Sequence, residues 1–420
     1  MKTKFISAGA AFVLVLACGI RIGAQEAGLS LDQAVALALE RHPDVLAARK
    51  AVDAARGRAL QLGSRPVPLI ALSVGGVPLP GLKNEGDETE IDLGFEQIFE
   101  YPGRRALRVE IGRREEALAE AELESVRLRL VAAAKKAYWR AAFARRTSAA
   151  LERSEEIAEA ILDNIQSKYE AGTAAYPDLL RARAEKARLR NQILEARKDR
   201  ETARSALNFL LGRPADEPLA LLTEMAYTPI PVKSLEALKR EARTIRPAFK
   251  IAALRKERAA AAVELAGLGL RPDFVAGFSF PGKRFNAWGV SFGLTLPFLS
   301  PGRAEGERME AAAEAELSRL AADALERRLD AALAGAYAEA KAAEEQILVF
   351  EESLLGDMED EMKISLAYYA LGKVEFTSLL DLFRSYVLTE VEHIRALSLY
   401  LTALADLDVA GEDLESWRTP

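Results

Sequence analysis

The sequence is poor in the residues from which enzymes build metal and nucleophile sites. Its 420 residues include one cysteine, Cys18, and two histidines, His42 and His393, which lie far apart in the chain. It contains no glycine-rich phosphate loop, no His-Glu-x-x-His motif and no cysteine cluster. Residues 277–281, Gly-Phe-Ser-Phe-Pro, lack the final glycine of a nucleophile elbow. We therefore predict no catalytic residues, no metal site and no cofactor, and we do not expect an enzyme.

The charge pattern argues against a nucleic-acid-binding protein, and the single cysteine argues against a disulfide-stabilised protein. The net charge is −6 at pH 7, and the basic residues are scattered among acidic ones, so binding to nucleic acid is not expected. A chain with one cysteine has no disulfide framework. Alanine, leucine, glutamate and arginine dominate instead, which is typical of long packed helices.

Long hydrophobic runs are also missing. After the basic residues Lys2 and Lys4, an apolar run extends from Phe5 to about Ala17. It is too short to span a membrane as a helix and is typical of an export signal. No other stretch reaches the roughly 18 apolar residues that a spanning helix needs. If the protein crosses a membrane, we expect it to do so as a closed β-barrel.

The export signal has two candidate ends. Residues 15–19, Val-Leu-Ala-Cys-Gly, resemble a bacterial lipobox, in which Cys18 becomes lipidated after the signal of residues 1–17 is removed. The alternative is a simple cleavage after Ala24, which gives a signal of residues 1–24 and discards Cys18.

The rest of the chain consists of two similar halves. Landmarks of the first half return about 200 residues later: Pro102-Gly103-Arg104 returns as Pro301-Gly302-Arg303, and Tyr169-Glu170-Ala171-Gly172 as Tyr369-Ala370-Leu371-Gly372. We therefore predict one repeat at residues 29–212 and a second at 235–411. A proline-containing linker, residues 213–234, joins them, and residues 412–420 form a C-terminal tail.

Each half contains two short segments in which apolar residues alternate with polar or small ones, the pattern of amphipathic strands. In the first half they lie near residues 70–75 and 90–96, on either side of a loop at 76–88; in the second half they lie at 274–280 and 287–296, around a turn at 281–284. At about nine residues each, they are long enough to cross a bilayer at a tilt. In the last strand Trp288, Val290, Phe292 and Leu294 are predicted to face lipid. The alternative is a soluble sheet with one buried face, but no other sheet-forming sequence exists to cover it.

Long helices follow the strands. Each Pro-Gly-Arg is predicted to reverse the chain sharply and open a helix, because proline fixes φ and glycine permits a positive φ. The first long helix should run from Arg104 to Tyr169, roughly 100 Å at 1.5 Å per residue, and a shorter one should end near Gly212. An opening helix at 29–62 completes the first half. The second half should match, with helices at 235–268, to Gly372 and to Gly411.

This arrangement resembles the TolC family of outer membrane efflux proteins over nearly the whole chain from Leu29 to Gly411. The resemblance is carried by Leu31-Asp32-Gln33-Ala34 with His42-Pro43 downstream, by the two Pro-Gly-Arg turns, and by the two glycine-marked hairpin tips. It implies a mainly α fold with a small membrane β-barrel contribution: three copies would form a twelve-stranded barrel in the bacterial outer membrane, continuous with an α-helical barrel in the periplasm.

The resemblance also implies a function and partners. The channel would conduct substrates passively, as the outer membrane part of a tripartite efflux or type I secretion system. The chain would form a homotrimer, and its partners would be a periplasmic adaptor protein, an inner-membrane transporter and outer membrane lipid. Drug, metal-ion and polypeptide exporters share this scaffold. The alternative is a periplasmic coiled-coil adaptor or structural protein, but the domains that flank an adaptor's helical hairpin are absent.

Site residues are carried over at the two tips. Asp381 matches a carboxylate that lines the pore constriction in the family, Ser378 stands where a second one is found, and Glu375 is a candidate substitute. Asp178, with Gly172, Gly372 and Lys373, is predicted to form a tip latch or an adaptor contact. The alternative is that these are ordinary solvated charges at helix turns.

Overall fold

The computed structural model describes residues 28–75, 90–229, 234–282, 287–351 and 354–411. The predicted signal segment, Cys18, the loop at 76–88 and the tail at 412–420 lie outside these ranges. None of the helices in the described ranges is long and apolar enough to span a membrane.

The two halves have the same order of elements. The first half contains α1 (Leu31–Arg41), α2 (Pro43–Gly63), β1 (Leu69–Gly75), β2 (Glu90–Phe99), α3 (Arg104–Glu170) and α4 (Tyr176–Leu210). The second half contains α5 (Leu235–Ile245), α6 (Pro247–Gly267), β3 (Phe274–Pro281), β4 (Gly289–Leu294), α7 (Pro301–Glu351), α8 (Leu354–Ala370) and α9 (Phe376–Gly411). The structure thus confirms the duplicated plan of two strands followed by long helices.

All four strands belong to one antiparallel sheet in the order β1-β2-β3-β4. Phe95 pairs with Ile70 and with Phe278, and Phe278 pairs with Val290. Because paired residues share a face, this register places most of the apolar residues of the four strands on one side. The opposite side carries mostly small, polar and acidic residues, such as Gly94 and Asp92. The predicted alternation is therefore confirmed over most of the sheet.

The last strand is shorter than predicted. β4 has 6 residues, Gly289–Leu294, so Trp288 and Leu296 lie just outside it. The chain leaves the sheet here because a one-turn 3₁₀ helix, Pro297–Leu299, follows, and proline has no N–H for a strand ladder.

The first Pro-Gly-Arg behaves as predicted and the second does not. Gly103 has φ +93° and caps α3, so the chain reverses at this residue. The second sequence, residues 301–303, already lies in the first turn of α7, and Gly302 lacks a positive φ. The prediction of a reversal there is wrong, because the 3₁₀ helix before Pro301 turns the chain and proline then takes the first helical position.

The opening helices are each broken in two, where the sequence predicted one continuous helix. His42 separates α1 from α2, and its Nδ1 accepts a hydrogen bond from the backbone N–H of Asp44 at 3.2 Å. Arg246 separates α5 from α6 at the matching place, without a hydrogen bond from its side chain to the start of α6. Both breaks precede a proline, which disfavours helical backbone at the preceding residue.

The long helix α3 is the longest element of the first half, and its length confirms the predicted helix from Arg104 to Tyr169. It has 67 residues, about 100 Å at 1.5 Å per residue. Along its first part it packs closely on α2, because a Cβ on Gly112 would lie 2.9 Å from the Cα of Ala59. Along its second part it packs on α4, where Arg190 pairs with Glu155 at 2.8 Å. In the second half, α7 and α8 occupy the predicted span of the matching long helix, with residues 352 and 353 outside the described ranges.

A clasp joins the halves where the sheet meets the helices. The guanidinium of Arg104 donates to both carboxylate oxygens of Asp273, at 2.7 and 2.6 Å, and to the carbonyls of Leu268 and Arg271 at 2.9 and 3.1 Å. The backbone N–H of Tyr101 donates to the same carboxylate at 2.8 Å. The Arg104 and Asp273 side chains are each 19% exposed, so the start of α3 is fixed to the start of β3 by charge-assisted bonds.

Candidate functional site: the tips of the two helical hairpins

The first tip is the turn between α3 and α4. Gly172 has φ +72°, and its N–H donates to the carbonyl of Tyr169 at 2.9 Å. The N–H of Thr173 donates to the carbonyl of Lys168 at 2.8 Å. These two bonds satisfy carbonyls that the end of a helix leaves free, and the left-handed conformation favours glycine.

The second tip, between α8 and α9, has the same geometry. Gly372 has φ +73° and donates to the carbonyl of Tyr369 at 3.0 Å, and Lys373 donates to the carbonyl of Tyr368 at 2.9 Å. The sequence similarity between the tips is therefore a similarity of backbone conformation.

The two tips pack against each other. Lys168 on α3 donates to the backbone carbonyl of Tyr369, and its Nζ lies 4.2 Å from the centre of that tyrosine ring. The rings of Tyr369 and Phe376 lie 5.9 Å apart. Buried side chains from both hairpins, including Ile165 and Leu179, join them in one apolar cluster. The two hairpin ends therefore form a single packed unit.

Asp178 lies in the first turn of α4, beside this cluster. Its carboxylate pairs with Arg181 at 3.4 Å and is 28% exposed. The pKa of the Tyr369 hydroxyl is raised, first by burial and second by the negative charge of Asp178. Lys373 extends instead towards the ring of Tyr368, with its Nζ 5.6 Å from the ring centre. Within one chain, Asp178 thus pairs with Arg181 and its charge acts on Tyr369. Its role as a latch or adaptor contact remains a prediction.

Asp381 and Glu375 are on the solvent side of the second tip. The Asp381 side chain is 76% exposed, and Arg384, one turn further along α9, lies 3.6 Å away. Glu375 is also exposed, and it precedes α9. Both carboxylates are therefore free to face an aqueous space, as a pore role requires, while Arg384 reduces the net charge next to Asp381.

Arg384 also links the two hairpins, a contact that the sequence did not reveal. It donates to Glu185 on α4 at 2.6 and 2.9 Å, and Glu185 is only 11% exposed. This hydrogen bond is the main cause that raises the pKa of Arg384. The spacing of three residues between Asp381 and Arg384 is a signal that the sequence does contain, but the partner on α4 follows only from the fold.

A groove opens between α4 and α9 over the surface of α3. It has a volume of 480 Å³, and its floor is apolar, with Phe143, Leu151, Leu189 and Phe383 among its lining residues. Charged side chains, including Glu185 and Arg384, line its edge. An apolar floor with a charged rim has the chemistry to accept an amphipathic helix.

The two histidines are packing residues. His42 is 6% exposed and His393 is 8% exposed. Burial and the nearby charge of Arg146 lower the pKa of His393, which favours its neutral form. In the described part of the chain, no three His, Cys, Asp or Glu residues are grouped so as to hold a metal ion.

Residues 34–213 match the family model of the outer membrane efflux proteins. This match covers most of the first repeat. No curated protein is significantly similar to the chain in sequence.

Solved structures extend the likeness to the whole fold. The outer-membrane channel OprN has a TM-score of 0.78 at 20% identity, over 93% of this chain and 91% of that one. VceC from Vibrio cholerae has a TM-score of 0.76 at 19% identity, over 91% and 96%. The open state of the MtrE channel from Neisseria gonorrhoeae has a TM-score of 0.73 at 19% identity, over 90% and 88%. At these identities the likeness shows that the chain has the fold of such channels.

The Glu185–Arg384 pair makes a testable contribution to the tip. Glu185→Gln should weaken the link between α4 and α9 by roughly 1 kcal/mol, because it removes the charge from a partly buried hydrogen bond. Amide hydrogens in the first turns of α9 should then exchange faster in mass-spectrometric measurements. Glu195→Gln, which changes an exposed carboxylate on the same helix, is the matched control. Equal exchange in the two variants would show that the apolar cluster alone holds the hairpins together.

Proposed function

We propose that this chain, an outer membrane efflux protein by the family match of its first repeat and by its fold, is one third of a passive export channel. Three copies would pool their strands into one β-barrel in the outer membrane, and their helices would continue it as a tunnel through the periplasm. The observation that supports this most directly is the sheet. Within the described ranges it has four strands, two unpaired edges and one mainly apolar face, and it is joined to helical arms about 100 Å long.

The strand count supports assembly of several copies. In the sheet formed by the described residues, β1 and β4 each have a neighbour on one side only, and lipid does not tolerate unpaired backbone N–H and C=O groups. The smallest membrane barrels have about eight strands, so one chain is too small to close. Three copies of the four-stranded sheet give twelve strands, the number that the resemblance to the TolC family implies.

The apolar face supports contact with lipid. Trp288, Val290, Phe292 and Leu294 are 71%, 52%, 84% and 55% exposed, although all four are large and hydrophobic. Their neighbours on the same face of the sheet, such as Phe278, are also exposed. A contiguous apolar surface of this kind fits a membrane, and it places the small and acidic face towards the lumen.

The hairpin tips are the proposed closed end of the tunnel. Asp381 and Glu375, repeated in three copies around a narrow axis, would form a negative ring that attracts cations. Asp178 and Lys373 would hold neighbouring tips together or contact the adaptor. Gly172 and Gly372 would supply the tight turns that bring the hairpin ends close to the axis.

The partners follow from the tunnel's two ends. A channel with no energy source of its own needs an inner-membrane transporter, and a periplasmic adaptor would join the two.

The apolar groove between α4 and α9 is the proposed contact for an adaptor helix, because its floor and rim match an amphipathic partner. Lipidation of Cys18 would add an anchor to the same membrane. The rival role, in which this chain is itself the adaptor, does not explain an exposed apolar sheet at the end of the helices.

The register of β4 predicts opposite effects for two adjacent positions. Phe292→Arg should cost about 2–4 kcal/mol near the membrane midplane, because it exposes a charge to acyl chains. Gly293→Ser should be mild, because it faces the lumen and an added Cβ would meet Val275 at an ordinary 3.5 Å. The measurement is the yield of folded protein in outer membrane fractions. Equal yields for Phe292→Arg and the parent protein would contradict lipid contact at this face.

The proposed ring predicts a change in ion selectivity. Asp381→Asn should reduce cation preference and weaken block by multivalent cations in planar bilayers, and adding Glu375→Gln should deepen both effects. Glu392→Gln, at an exposed position further along α9, is the control and should leave selectivity unchanged. If the double variant retained the parent reversal potential and block, the constriction would lie elsewhere.

A further inference from the structure

Two matching segments connect the helices to the sheet in each half. Residues 62–67 read Leu-Gly-Ser-Arg-Pro-Val, and residues 268–273 read Leu-Gly-Leu-Arg-Pro-Asp. The first leads from α2 into β1, and the second leads from α6 into β3. The two segments differ at the last position, where Val67 corresponds to Asp273, the carboxylate of the clasp.

The arginine of the clasp also has a counterpart. Arg104 follows the first Pro-Gly, and Arg303 follows the second. The next residue in each helix contacts the corresponding glycine of its own half. Arg105 donates to the carbonyl of Gly63 at 2.7 Å, and the Cβ of Ala304 would lie 3.4 Å from a Cβ on Gly269. Both helices therefore begin beside the matching glycine, although Arg104 is the first residue of α3 and Arg303 is the third residue of α7. Arg303 thus lies at the matching place in the second half.

Arg104 reaches the neighbouring half of the same chain, whereas Arg303 has no partner in the other half within the described part of the chain. Its side chain is 86% exposed, and its ion pair is with Glu307, four residues further along the same helix, at 3.0 Å. Val67 is 85% exposed at the other edge of the sheet. Among the strands that the structure describes, the second edge, beyond β4, and the first edge, beyond β1, are both unpaired. The arginine of such a contact is thus present beside β4, and the segment that would accept it is present beside β1.

We propose that Arg303 of one copy docks on residues 62–67 of the next copy and donates to the backbone carbonyls of Leu62 and Arg65. These carbonyls correspond to those of Leu268 and Arg271, which accept from Arg104 within one chain. The proposal rests on the proposed assembly of several copies and identifies the residues that meet at its seam. Because valine replaces aspartate, the seam between copies has the backbone bonds of the clasp without its ion pair.

The absent ion pair can be restored as a test. In Val67→Asp the new carboxylate should meet Arg303 of the next copy, and trimer dissociation in mild detergent should slow about tenfold or more, equivalent to about 1.4 kcal/mol. Val67 is exposed, so the change should not disturb the fold of one copy. Val67→Asn, similar in size and uncharged, should show little of this effect.

The second variant makes the test specific. Val67→Asp combined with Arg303→Gln should dissociate at nearly the parent rate. A slower rate that persists without Arg303, or no slowing in Val67→Asp, would overturn the seam while leaving a measured trimer, and the proposed channel, intact. Absence of any oligomer in the parent protein would overturn both.

Cross-linking provides an independent readout. Cysteines introduced together at Val67 and Arg303 should be joined by a short bis-maleimide into covalent dimers and trimers on a denaturing gel. A pair at Val67 and Arg319, which lies exposed more than four helical turns further along α7, should not be joined. Equal cross-linking of the two pairs would contradict the proposed register of the seam.

Discussion

The unpaired edges of the four-stranded sheet are the constraint on which the rest of the structure depends. Backbone N–H and C=O groups at β1 and β4 need partners if the sheet enters a membrane, and one chain has no further strands in the described sheet to supply them. A second copy is the simplest source, because its opposite edge has the same unpaired groups. In the proposed assembly, the apolar face and the duplicated helical arms of each copy would then form one section of the channel wall.

Duplication means that the contact between the two halves can serve as a pattern for the contact between copies in the proposed channel wall. The first half docks on the second through contacts of α3 with α6, such as Arg255 with Glu122 at 2.9 Å, and through the Arg104–Asp273 clasp. If copies meet as the halves do, one type of contact is used twice per chain with small changes. One such change is Val67, which stands where the second half has Asp273, so the proposed contact between copies would lack the ion pair of the contact within a chain.

Local patterns in the sequence predicted most of the fold. Alternation of apolar and small residues identified all four strands, and the absence of proline and nearly all glycine identified α3 almost to the residue. The breaks at His42 and Arg246 were missed, although the proline after each was a signal. The reversal before α7 was misplaced because the 3₁₀ helix at Pro297, rather than Pro301 and Gly302, turns the chain.

Contacts between distant residues were beyond the sequence. Arg104 and Asp273 are 169 positions apart, and Arg384 and Glu185 are 199 apart. Neither pair forms a local pattern, because each depends on which helix ends the fold brings together. The charged tip residues were found through family resemblance, and the structure adds that Asp381 has a cation beside it and that Asp178 lies near Tyr369.

The number of chains in the assembled particle tests this account most directly. The protein should be purified from membranes in a mild detergent, and its protein mass should be measured by light scattering with correction for bound detergent. The account predicts a monodisperse particle of three chains, because three sheets of four strands close the barrel. A monodisperse monomer with the same helical content would contradict it, since such a chain would leave both sheet edges unpaired.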